Sequence, residues 1–185
     1  MAAPRFVEIK AGEALAVAGR EAALFVLEGR LTGHAAGDLL PGDALVGPPA
    51  DLASISARES TRLLVEERDI AGAGPARRIG RADLVGTGVS GITGVRVLHR
   101  APGGTLLRLG PPPGARWIVV GLRGFAVLSG HVFLFEVLDA SEPVRISAGS
   151  GHVARDPSRP VPLLAGNDSA FVVAHAAPDV TVTLG

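Results

Sequence analysis

Apolar residues in this chain come in short runs of four to seven, including ALFVL, TRLLV, RWIVV, HVFLFEV and AFVVAHA. Gly, Pro, Asp and Asn punctuate the runs. No long stretch keeps the 3.6-residue period of an amphipathic helix, so the pattern predicts strands and turns. Close spacing and turn words such as PGD, PPPG and GND point to an all-β sandwich or barrel of the jelly-roll kind. Within a strand, alternate residues share a face, so each run predicts one row of core side chains.

The pattern repeats. Val26-Leu27-Glu28-Gly29 recurs as Val127-Leu128-Ser129-Gly130, 101 residues on. Pro41-Gly42-Asp43 aligns with Ala148-Gly149-Ser150 at an offset of 107, and Leu63-Leu64-Val65 with Phe171-Val172-Val173 at 108. A slowly drifting offset is the signature of two copies of one fold in which the second has a longer hairpin, here around DASEP. The expected organisation is an N-terminal barrel over residues 1–70, a Gly/Ala/Arg-rich linker over 71–93 and a C-terminal barrel over 94–185.

Composition narrows the function classes. The 185 residues are 47% hydrophobic, enough for a packed core. Eighteen Lys and Arg balance eighteen Asp and Glu, and aromatic residues make up only 4%. There is no net field for a polyanion and no platform for stacked bases, so nucleic acid is not an expected partner. The absence of cysteine excludes disulfides and thiolate chemistry. No leader-like segment opens the chain and no apolar run approaches the roughly 18 residues of a spanning helix, so a cytoplasmic protein without membrane attachment is expected.

The residues that repeat carry a resemblance. A hydrophobic strand entering a Gly-rich turn (FVLEG, then AVLSG) is followed by a PGD-type turn and a Pro-bearing strand (PGDALVGPP, then AGSGHVARDP). Each half thereby resembles a cupin domain, and the whole resembles a bicupin, with two tandem cupin-like jelly-roll barrels. Cyclic-nucleotide-binding β-rolls share the LFVLEGRL and PGD wording, but the segment after PGD, ALVGPPADLASIS, lacks the glutamate and arginine that a cyclic nucleotide needs.

The resemblance implies four metal ligands per site: two histidines one residue apart, a glutamate soon after, and a third histidine beyond the PGD strand. In the first half the paired positions fall on or next to Ala16 and Ala18, Glu21 lies near the glutamate position, and the third position lies near Ala53. In the second half they fall on Trp117 and Val119, with Arg123 at the glutamate position and the third near Val161. Arginine stays protonated and repels a cation. Sliding His152 onto the third position leaves too long a tail after it. No metal or other cofactor is therefore expected, although His99, His131, His152 and His175 would make a divergent metal-dependent enzyme (oxygenase, isomerase or hydrolase) if they met in space.

If Trp117, Val119, Gly121 and Arg123 share one face by period two, a guanidinium and an indole replace the metal and suit a small organic anion. The bland alternative has Trp117 filling the barrel and Arg123 at its rim. Trp117 and Arg123 are the candidate ligand-binding residues of a binding, sensor or accessory protein. A structural subunit in a homo-oligomer, or with a protein partner, is the remaining alternative.

Three decoys are set aside. GTGVSG at residues 86–91 spells a dinucleotide fingerprint, but the helix and acidic residue it requires do not follow. Ser150 and His152 lack the elbow and orienting acid of a nucleophile. Arg77-Arg78-Ile79-Gly80-Arg81 reads as solvated linker.

Overall fold

The computed structural model describes residues 3–33, 35, 37–72, 74–80, 94–110, 114–135, 142–166 and 170–184. Apart from one four-residue helix the described elements are all strands, the all-β class that the strand-and-turn pattern predicts. The chain divides into two compact units: Met1–Val85 with Ala101–Gly103, and Gly86–Arg100 with Gly104–Gly185.

The first unit is built on β1 (Arg5–Ile9), β2 (Glu21–Glu28), β3 (Leu31–Thr32), β4 (Ala44–Gly47), a four-residue helix α1 (Pro49–Leu52), β5 (Ser56–Ala57), β6 (Thr61–Arg68) and β7 (Arg77–Ile79). Five of the strands form one antiparallel sheet in the order β1-β6-β2-β4-β7, and β3 pairs with β5. Alternation decides the core: Ala22, Leu24 and Val26 of β2 join Leu45, Leu63 and Val65 in one apolar cluster. The opposite face is also buried, with Ala23, Phe25, Leu64, Glu66 and Arg68 all at 0% exposure. A strand apolar on both faces reads as a continuous run, which is why ALFVL shows no polar alternation.

β7 corrects the linker reading. Arg77, Arg78 and Ile79 pair with Val46, Leu45 and Ala44. Ile79 is buried and Arg78 reaches Asp43 at 2.8 Å. An apolar Ile between turn residues, with a carboxylate waiting for the arginine, is enough to add an edge strand. Within the expected linker, residue 73 and residues 81–93, which contain the GTGVSG segment, lie outside the described residues.

The second unit comprises β8 (Val95–Ala101), β9 (Gly104–Leu109), β10 (Arg116–Ser129), β11 (His131–Leu134), β12 (Val144–Ser147), β13 (Gly151–Val153), β14 (Val161–Ala165) and β15 (Phe171–Leu184). Its sheet runs β12-β11-β14-β10-β15-β9-β8, with β13 also on β10. The core gathers Trp117, Val119, Leu122, Phe125 and Val127 of β10 with Leu107, Leu109, Leu163, Val172 and Ala174.

The internal repeat reappears in backbone hydrogen bonds. The Val26 N–H donates to the Asp43 carbonyl, and the Gly42 N–H to the Val26 carbonyl; Val127, Ser150 and Gly149 make the same pair of bonds. Both β2 and β10 slip register one residue before the turn, between Val26 and Glu28 and between Val127 and Ser129. The turn then passes through Gly29 and Gly130 at φ 79° and 68°. A side chain is strained at such angles, and a Cβ on Gly29 would collide with the Ser60 carbonyl oxygen. One alignment shifts by a residue: Val26 lies opposite Leu63 and Val127 opposite Val172, so the offset there is 109 rather than 108.

Candidate functional site

β10 carries both candidate ligand-binding residues. Trp117 and Val119, opposite Leu163 and Val161 on β14, point into the core and are fully buried. The Trp117 Nε1–H is buried and meets no hydrogen-bond acceptor among the described residues. The period-two premise then fails. Gly121 takes φ 90° and donates its N–H to the Pro157 carbonyl at 2.9 Å. The register against β15 shifts on both sides of Leu122. A Cβ at Gly121 would press on Ala177 and Val180 at 3.3 Å, so this close crossing favours glycine.

Past the bulge, Leu122 lies opposite Ala176 and Gly124 opposite His175, which leaves Arg123 as the additional residue between them. Arg123 therefore does not continue the Trp117–Val119 face. Nor is it at a solvated rim, since it is 7% exposed and its carbonyl accepts the Ala154 N–H. An extra residue in a strand is invisible to an alternation argument, which assumes unbroken pairing.

In the first unit the same positions need a one-residue correction. The Leu15 N–H donates to the Ile55 carbonyl and the Ala57 N–H to the Glu13 carbonyl. Leu15 enters the core with Val17 packed against it, while Ala16 and Ala18 are exposed. The inward pair is apolar in either alignment. Ala53, near the third-histidine position, is exposed just after α1.

The histidines are dispersed. His99 is on β8; His131 on β11 stands edge-on to Phe133, with Nδ1 3.5 Å from Arg145; His152 on β13 is tilted against Phe125; His175 on β15 is wholly buried. His152 lies opposite Phe125 as Leu45 lies opposite Leu24, so it matches Leu45 and not the third-ligand position. Among the described residues no three His, Asp or Glu side chains are grouped to hold a metal ion. The donor set does not fit the metal that the cupin resemblance implies.

Among the described residues, two polar constellations bear on a site. One is buried in the first unit, where Arg68 donates from Nε to Glu66 at 2.8 Å and from Nη1 to Glu21 at 2.7 Å. Glu66 and Arg68 are two apart on β6 and share a face, and Glu21 begins the neighbouring β2 opposite Arg68. The string TRLLVEER contains that signal, a carboxylate and a guanidinium in phase with Leu64, but it reads equally well as a solvated strand end.

The other is a recess of about 170 Å³ in the second unit, lined by Leu134, His152, Ala154, Arg155, Asp156, Arg159, Pro160 and Val161. Leu134 and Ala154 are buried, His152 and Val161 half-buried, and Arg155, Asp156 and Arg159 exposed. Asp156 braces the loop: its Oδ1 accepts the Ser158 hydroxyl at 2.6 Å and the Ser158 N–H at 3.0 Å, and Arg159 stands 4.0 Å from Oδ2. Those bonds, the hydroxyl first, hold its carboxyl below the ordinary value. Arg155 has no acidic partner among the described residues. Sequence reasoning misses this loop because DPSR is an ordinary turn and the recess depends on what lies beneath it.

No family model matches the chain, and no curated protein does. Solved structures do match. The putative glyoxylate-induced protein from Pseudomonas aeruginosa aligns at 18% identity and a TM-score of 0.61, over 98% of this chain and 74% of that one. A cupin 2 conserved barrel domain protein from Leptotrichia buccalis aligns at 13% and 0.56, over 96% and 80%. A salicylate 1,2-dioxygenase from Pseudaminobacter salicylatoxidans aligns at 14% and 0.57, over 98% and 74%. At these identities the likeness is one of fold.

Proposed function

We propose that this chain is a bicupin whose role is binding rather than metal catalysis, and that its C-terminal barrel takes a small organic anion. The two-barrel reading is supported by the turn that recurs with the same backbone bonds in both units. The observation that carries the functional reading is the state of the expected ligand positions: Trp117 and Val119 are buried core residues, and an indole takes the volume that imidazole ligands would need. Arg123, nearly buried six residues after Trp117, stands off the Trp117–Val119 face, so the charge and the indole expected from the sequence do not line one pocket and the anion's place is sought elsewhere in the unit.

A second reading, a divergent metal-dependent oxygenase, draws on the salicylate 1,2-dioxygenase among the structural neighbours. Elemental analysis of tag-free protein separates the two. The binding role expects no stoichiometric iron, manganese, nickel or zinc, together with a thermal shift from at least one small carboxylate. One metal ion per chain would overturn the binding reading in favour of a metal-dependent enzyme, whether oxygenase, isomerase or hydrolase.

A further inference from the structure

We infer that the recess beside β13 and β14 is the binding site for that anion, and that its ligand is a carboxylate with an apolar body about the size of one ring. The inference rests on the organic-anion reading and gives it a place. Trp117, Val119 and Phe125 fill the interior, whereas the recess is open and combines an apolar floor with a cationic edge.

Its floor is apolar, with Leu134 and Ala154 buried beneath it and Val161 and Pro160 at its side. Its edge carries three groups of basic type, His152, Arg155 and Arg159, against one carboxylate, Asp156. That carboxylate is already committed to Ser158 and faces Arg159, so it fixes the loop and leaves a net positive edge. Arg155, which meets no acid among the described residues, has a planar fork suited to a carboxylate. The half-buried His152 ring, tilted on Phe125 with centroids 6.1 Å apart, offers a flat wall.

Volume sets the size of the body. A cavity of about 150 Å³ lined by apolar side chains holds a benzene, and this recess provides about 170 Å³. Phosphate or sulfate would use the guanidinium edge but leave the floor wet. A neutral ring would use the floor and leave Arg155 without a counter-charge. A single-ring carboxylate uses both.

The test is titration of the full chain with benzoate, benzamide and inorganic phosphate, followed by calorimetry. Benzoate is expected to bind at millimolar concentration or below, and more tightly than either control. Arg155 and Arg159 are exposed, so Arg155→Ala/Arg159→Ala should fold as the parent does. Two exposed charge contacts correspond to a loss of roughly two- to thirtyfold in benzoate affinity. Arg100→Ala, a change at an exposed arginine on β8, should leave affinity unchanged.

If benzoate binds equally well to the double variant, the recess is wrong while the anion-binding reading stands. A loss caused instead by Arg123→Ala moves the ligand to the strand interior and likewise rules out the recess. Phosphate binding as tightly as benzoate would overturn the ring-sized body. If neither anion binds, the recess proposal falls, and the organic-anion reading falls with it only if no other small carboxylate shifts the melting temperature.

Discussion

Replacing Arg68 by methionine isolates the least solvated charges in the first unit. The Arg68 side chain is 0% exposed, that of Glu66 0% and that of Glu21 4%. The substitution keeps much of the apolar stem and removes one cation from between two carboxylates. Two charge-assisted hydrogen bonds disappear, each worth about 1.5–3 kcal/mol, and both carboxylates stay in a place water does not reach. Breaking a buried pair by removing one partner costs about 3–5 kcal/mol, a large share of the roughly 5–15 kcal/mol that holds a typical domain. Urea unfolding followed by far-ultraviolet circular dichroism is the suitable assay, because the single tryptophan lies in the other unit and its fluorescence does not report on β6. Arg68→Lys should fall between parent and Arg68→Met, since an ammonium supplies the charge without the fork. Glu21→Gln/Glu66→Gln/Arg68→Met should recover much of the loss, because it removes the stranded charges as well. A cost below about 1 kcal/mol for Arg68→Met, the range of exposed ion pairs, would refute the argument that this cluster is dry.

Gly29→Ala should destabilise the chain by at least about 1–2 kcal/mol, through its left-handed backbone and the Ser60 carbonyl; an unchanged urea midpoint would contradict this. Trp117 emission should be blue-shifted and poorly quenched by iodide, and Trp117→Ala should cost about 3–5 kcal/mol as a core truncation; ready quenching would mean the indole is solvated. The Asp156 carboxyl should titrate by nuclear magnetic resonance below its ordinary 3.8, and Ser158→Ala should move it upward. Because that folded-state value is depressed, whatever the loop gains from Asp156 is present above the ordinary carboxylate range and is lost as pH falls through the lowered value; a titration at or above 3.8 would remove the brace.

The sequence exposes what depends on repetition and alternation. FVLEG and AVLSG locate the paired turns, and the short apolar runs locate the strands of both units. It misplaces what depends on a single extra residue. The bulges at Gly121 and Arg123 break the face on which Trp117 and Arg123 are expected to stand together, and the drift near Val172 hides one step of the offset. Arg77–Ile79 reads as solvated linker because a three-residue edge strand has too few positions to show a period. The Glu21–Glu66–Arg68 cluster and the recess are illegible for another reason: each is assembled across strands or over a floor, and no local spacing encodes it.

The turn shared by the two units has a consequence for ancestry. Its defining contacts run from main chain to main chain, through Val26, Gly42 and Asp43 in one unit and Val127, Gly149 and Ser150 in the other. Within one polypeptide, proline in one unit answers to alanine in the other and aspartate to serine, while the bonds stay the same. Selection acting on such a motif has little to preserve beyond a glycine and a path. Sequences that fold this way can therefore diverge in wording until comparison by letters fails and only comparison by shape still finds a likeness.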